Sequence, residues 1–178
     1  AWHVPQGDPV AGVGASSEYA LLDVAPAEID ISILFEMETT SDDMVLLDFS
    51  TNTTASSSLP SNRLALQQVS GDFEIRKGNS PPVTPNLSES PSPGIYKVDM
   101  QWNDTVVRAR LNNGSWQSVA HTPLPDFRIL HLGYIPYFGL GLRWHFPIFS
   151  LRANKAFGDI PDGGGFGLKA LEAYEATL

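Results

Sequence analysis

The chain has 178 residues, 42% of them hydrophobic, which suits one domain with a real buried core. Its 20 acidic and 11 basic side chains leave a formal charge of −9, a field that repels nucleic acid, anionic membrane and heparin-like polyanions. The absence of cysteine excludes a disulfide framework, a thiolate metal site and a thiol nucleophile.

Residues 1–18 are rich in Gly, Pro and small side chains and are expected to form an irregular lead-in. A short first strand follows at 19–24, stopped by Pro26. The next strand is clearer. Ile29, Ile31, Ile33, Phe35 and Met37 take every second position, while Asp30, Ser32, Glu36 and Glu38 face the other way. A period of two puts one side of a strand in a core and the other in water. After a polar turn at 39–43, Val45, Leu47 and Phe49 resume the alternation in a strand expected to pair antiparallel with the one before it. Residues 50–61 form a polar loop, and 64–69 and 73–75 flank Ser70-Gly71 as a hairpin. Residues 79–93 hold five of the chain's 14 prolines and are expected as a long surface loop, because proline cannot donate to a ladder.

The most regular stretch is 95–111. Tyr96, Val98, Met100 and Trp102 alternate with Lys97, Asp99 and Gln101, and Asn103-Asp104 supplies a turn. Val107, Ala109 and Leu111 then alternate with Arg108 and Arg110, giving two half-buried hairpin strands whose charged side is expected in water. Asn112-Asn113-Gly114 is another turn, since Asn and Gly tolerate positive φ. Closing strands are expected at 128–132 and 146–153, with an aromatic, glycine-rich excursion at 134–144 between them; 168–178 has weak helical character. About ten short strands without an interior helix predict an all-β fold, a two-sheet antiparallel β-sandwich over 19–155. Residues 156–178 are then a C-terminal extension or linker.

Four Asn-x-Ser/Thr sequons occur, at Asn52, Asn86, Asn103 and Asn113, where chance would supply roughly one. They point to glycosylation, and so to a secreted chain or the extracellular part of a membrane protein. No apolar run approaches the ~18 residues of a membrane span, and no signal peptide is present, so the sequence reads as a mature or excised piece.

The ordered motifs resemble those of a laminin G-like domain, the LNS domain of neurexins, agrin and laminin α-chains, within the concanavalin A-like jelly rolls. The resemblance rests on Ile31-Ser32-Ile33-Leu34-Phe35 with Thr39, on Val45-Leu46-Leu47, and on Asn62-Arg63-Leu64-Ala65-Leu66 leading to Gly71. It continues through Ile95-Tyr96-Lys97-Val98, Leu111-Asn112-Asn113-Gly114 and Leu130-His131-Leu132-Gly133-Tyr134-Ile135-Pro136. It implies a jelly-roll sandwich that recognises a protein or glycan through its loop rim, in some members with one calcium ion. The calcium-binding Asp of that family corresponds to Asn62 here, an amide without charge, with Asp42, Asp43, Asp72 and Asn79 as further rim oxygens.

Glu28-Ile29-Asp30 resembles the start of a paired-carboxylate run in a concanavalin A-like glycoside hydrolase family, but its third carboxylate is replaced by Ile33. These acids read as the solvent side of an amphipathic strand. His3, His121, His131 and His145 show no metal-ligand spacing. Tyr134, Tyr137, Phe138, Trp144 and Phe146 form the densest aromatic cluster, with Trp116 as an outlying member, and aromatic rings bind sugars or anchor protein partners. The sequence therefore predicts a non-enzymatic adhesion or recognition module binding an extracellular protein or glycan. A dedicated lectin is the alternative, and a glycoside-processing enzyme stands third. A Trp beside polar groups on a sheet face would favour the lectin, and an aromatic loop patch without a groove would favour adhesion.

Overall fold

The computed structural model describes residues 18–21, 29–38, 43–50, 63–77, 86–88, 91–103, 105–120, 129–133, 143–153 and 165–178. Among these residues twelve strands and one helix are formed: β1 (Glu18–Leu21), β2 (Ile29–Met37), β3 (Met44–Ser50), β4 (Arg63–Val69), β5 (Asp72–Lys77), β6 (Asn86–Ser88), β7 (Gly94–Trp102), β8 (Val106–Leu111), β9 (Gln117–Ala120), β10 (Ile129–Leu132), β11 (Ile148–Ala153), β12 (Gly165–Phe166) and α1 (Leu168–Glu175). They make two six-stranded sheets, ordered β12-β11-β2-β7-β8-β9 and β1-β10-β3-β4-β5-β6. The all-β, two-sheet antiparallel sandwich predicted from alternation is the fold observed.

One pairing differs from expectation. β2 and β3 do not form a hairpin: β2 pairs with β7 along its whole length and with β11, whereas β3 pairs with β4 and β10. Alternation fixes which side of a strand is apolar, not which strand lies beside it. Two consecutive amphipathic strands bury their apolar sides equally well from opposite sheets of one sandwich. Ile31, Ile33 and Phe35 of β2 accordingly meet Leu47 and Phe49 of β3 in a single core cluster. The β4–β5 and β7–β8 hairpins form as predicted. Ser70 and Gly71 turn the first with φ of 50° and 90°, and Asn112 and Asn113 turn β8 towards β9 with φ of 45° and 59°. Within the proline-rich stretch expected as a loop, β6 adds a three-residue edge strand to β5.

Trp144 sits fully buried where the two sheets meet. Its ring is 5.4 Å from Phe35 at 83°, 6.3 Å from Phe73 at 68° and 6.0 Å from Phe146 at 87°. Such edge-on geometries favour the electropositive rim of one ring against the face of another. The expectation that Trp144 is a ligand-binding aromatic is thereby corrected: it is core. Its backbone N–H donates to the Gly133 carbonyl at 3.0 Å, which ties the segment leading into β11 to the end of β10.

The C-terminal residues 165–178 dock on the sandwich. β12 pairs with β11, and α1 packs against β11 and β2 with Leu171 fully buried. Gly167 makes this possible. It sits at φ +64°, and a Cβ there would collide with the Phe149 carbonyl oxygen. Gly167→Ala is therefore expected to displace α1 and lower stability by roughly 1–3 kcal/mol. Limited proteolysis should show faster cleavage within 168–178; an unchanged digestion pattern and melting temperature would refute this.

Candidate functional site

The register of the first sheet lines polar residues up across its outward face. Arg152 of β11 lies opposite Ser32 of β2, Ser32 opposite Asp99 of β7, and Asp99 opposite Arg110 of β8. In the next row Asp30, Gln101 and Arg108 follow one another, and Lys97 lies in the row on the other side. Cross-strand neighbours on one face stand close enough to bond directly. Ser32 Oγ donates to Asp99 Oδ1 at 2.8 Å and accepts from Arg152 Nη2 at 3.2 Å. Arg110 Nε donates to Asp99 Oδ2 at 2.9 Å, and Lys97 Nζ lies 3.2 Å from the same oxygen.

Two elements rise around this face and turn it into a groove of about 360 Å³. At one end stands α1, where Glu175 accepts from Arg152 at 3.1 and 2.7 Å and from Lys97 Nζ at 3.3 Å. Tyr174 of the same helix anchors it by donating to the Ile95 carbonyl at 2.8 Å. The β8–β9 turn supplies Asn113, whose Oδ1 accepts from Lys97 Nζ at 3.0 Å. Just beyond it, the half-buried ring of Trp116 has the guanidinium carbons of Arg108 and Arg110 at 4.4 and 4.5 Å from its centroid. Arg108 is held in turn by Gln101 Oε1, at 2.7 and 3.0 Å.

The charged side of β7 was expected in water. Lys97 and Asp99 are instead only 4% and 6% exposed, because the turn and α1 enclose them. Burial of charge is tolerated when each ion is paired and hydrogen-bonded, and here each one is. The Arg152 hydrogen bonds hold the Glu175 carboxyl below its usual range, against a smaller opposing effect of burial. The same contact, first among its causes, raises Arg152.

Of the residues singled out in the sequence, Trp116 and Asn113 line this groove, as do Asp30 and Ser32, which share a face as expected. Asn62, Tyr134, Tyr137, Phe138, Asn52, Asn79, Asp42, Glu28, His3 and His121 lie outside the described residues. Asn103 is exposed in the β7–β8 turn, with Oδ1 accepting from Thr105 and Val106, and Asn86 opens β6. Asp43 accepts a hydrogen bond from the Ser70 backbone, a turn contact. His131 is buried in β10 and His145 is exposed. Among the described residues no group of three or more His, Asp or Glu is arranged to hold a metal ion. Sequence reading missed Lys97, Asp99, Arg110, Arg152 and Glu175 as site residues. The signal available was the charge alternation on the 95–111 hairpin; Arg152 and Glu175 join it only through long-range pairing.

No protein-family model matches the chain, and a search of curated proteins finds no match. Solved structures of similar fold include sheep galectin-11 in complex with glycerol, at 13% identity over 77% of this chain and 97% of that one, with a TM-score of 0.53. A heptameric SAP-like pentraxin from Limulus polyphemus is similar at 9% identity over 86% and 77% of the two chains, TM-score 0.50. The NanB sialidase from Streptococcus pneumoniae is similar at 12% identity and a TM-score of 0.51; the match covers 89% of this chain but only 29% of the sialidase. The likeness is one of fold, an antiparallel jelly-roll sandwich.

Proposed function

We propose that this chain is a carbohydrate-recognition module that holds a saccharide in the groove on the outward face of the β12-β11-β2-β7-β8-β9 sheet. One observation carries the reading: Trp116 stands at the edge of a fixed array of paired donors and acceptors. A sugar ring offers an apolar C–H face and a rim of hydroxyls that both donate and accept. An aromatic ring suits the first, and Asp99, Arg110, Lys97 and Asn113, held in place by one another, suit the second. Galectin-11, solved with a bound polyol on a similar fold, supports it.

The wider reading is an extracellular, non-enzymatic adhesion or recognition role of the laminin G-like kind. The four sequons and the order of the strand motifs support it. Calcium bound with the help of Asn62 belongs to the same proposal.

The test is a glycan array probed in calcium and again in chelator, with Trp116→Ala beside the unaltered chain. The variant is expected to bind roughly tenfold more weakly, about 1.4 kcal/mol. Its melting temperature should barely move, because the ring is only half-buried. A variant that binds as well as the unaltered chain would place the ligand elsewhere. Binding lost in chelator would support the calcium site, and binding retained would dispense with it.

A further inference from the structure

We infer that the groove selects neutral saccharides over acidic ones, and that Glu175 sets this preference; the inference rests on the carbohydrate reading above. The groove lining carries three cations, Lys97, Arg110 and Arg152, and three carboxylates, Asp30, Asp99 and Glu175. Each of these three lies within 3.3 Å of a carboxylate oxygen and is already satisfied; Arg108, outside the lining on the Trp116 ring, is held by Gln101 Oε1. The chain's charge of −9 adds a repelling field at longer range. Paired ions of this kind keep fixed directions for hydrogen bonding to hydroxyls while presenting no net charge.

Asp30 and Asp99 belong to strands of the sheet. Glu175 does not. It arrives on α1, the last element of the fold, and takes both Arg152 and Lys97 with a single carboxylate. It occupies the place where the carboxylate or sulfate of an acidic sugar would bind. With Glu175 in position an acidic ligand must compete for cations already satisfied. With its charge removed, the lining carries an excess positive charge on Arg152 and Lys97, the two groups best placed to receive an anion.

The experiment compares neutral and sialylated or sulfated oligosaccharides of matched length on the unaltered chain and on Glu175→Gln, at low and at physiological salt. The unaltered chain is expected to bind the neutral members with little dependence on salt and to discriminate against the acidic ones. Glu175→Gln is expected to gain roughly fivefold in affinity for the acidic members relative to the neutral ones, a gain that salt removes. Leu171→Ser removes the same carboxylate by releasing the helix and should show the same gain, so the outcome does not hang on one variant. Steeply salt-dependent preference for acidic sugars by the unaltered chain would overturn the inference while leaving the carbohydrate reading intact. So would an unchanged preference in both variants. Failure to bind any saccharide would sink the carbohydrate reading itself, and this inference with it.

Discussion

Asp48→Asn is expected to leave stability near that of the unaltered chain at pH 4 and to exceed it at pH 8 by up to about 4 kcal/mol. Asp48 lies between Leu47 and Phe49 on β3 and turns to the side of the sheet away from the main core, yet it is fully buried. Arg63 Nε is 3.4 Å from its Oδ2, and Arg63 passes the contact on to Gln67 at 3.0 Å. Gln67 donates in turn to Glu74, which lies near Arg76, while His131 faces Asp48 across the β3–β10 pairing. Burial pushes the Asp48 carboxyl from 3.8 up to about 7, outweighing the pull of Arg63. Between those values the unfolded chain has released this proton and the folded chain keeps it. Stability from this group is therefore fully present below about pH 4 and is lost as pH rises through 7. Asparagine has no proton to release, and the other carboxylates cancel when variant and unaltered chain are compared at each pH. Denaturant midpoints measured at both pH values decide it. A constant difference would mean that Asp48 is ionised in the fold at all these pH values. Glu175 has the opposite sign: its contribution is present above its ordinary 4.5 and is lost as pH falls below that, so acid should loosen α1 first.

The fold was legible because alternation in β2, β7 and β8 reports which side of each strand meets the core, and because Ser70-Gly71 and Asn112-Asn113-Gly114 announce their turns in residue chemistry. Which strand neighbours which was less so, since the β2–β7 contact joins residues far apart in sequence; Ser32 meets Asp99 across a separation of 67. The groove inherits that difficulty. Read locally, Lys97, Asp99, Arg108 and Arg110 are the wet side of a hairpin. They become a site only when β2 and β11 lie alongside and α1 closes one end, and a weakly helical C-terminal stretch gives no hint of the Glu175 contacts. Aromatic density misled in the opposite direction. Trp144 drew attention through its neighbours in sequence, but those neighbours measure how much a sandwich needs filling as much as what its surface offers.

That distinction has a direct consequence for the two tryptophans. Trp144→Ala is expected to lower stability by about 3–5 kcal/mol and to leave the saccharide affinity of the remaining folded protein unchanged. The ring bridges Phe35 of one sheet and Phe73 of the other, so its removal opens a cavity against strands fixed by their ladders on both sides. Such strands cannot close on the space without breaking register, and the lost contacts are not recovered. Trp144→Phe should cost less than half as much. It keeps an aromatic ring against Phe35, and it removes an indole N–H that is buried without a hydrogen-bond partner among the described residues. Trp116 reverses the pattern, with binding weakened and stability kept. Urea denaturation of the three variants, set beside saccharide binding measured below the unfolding transition, gives the crossed result. A Trp144→Ala protein that stays as stable as the unaltered chain but no longer binds would return this ring to the ligand, and the core assignment would fall with it.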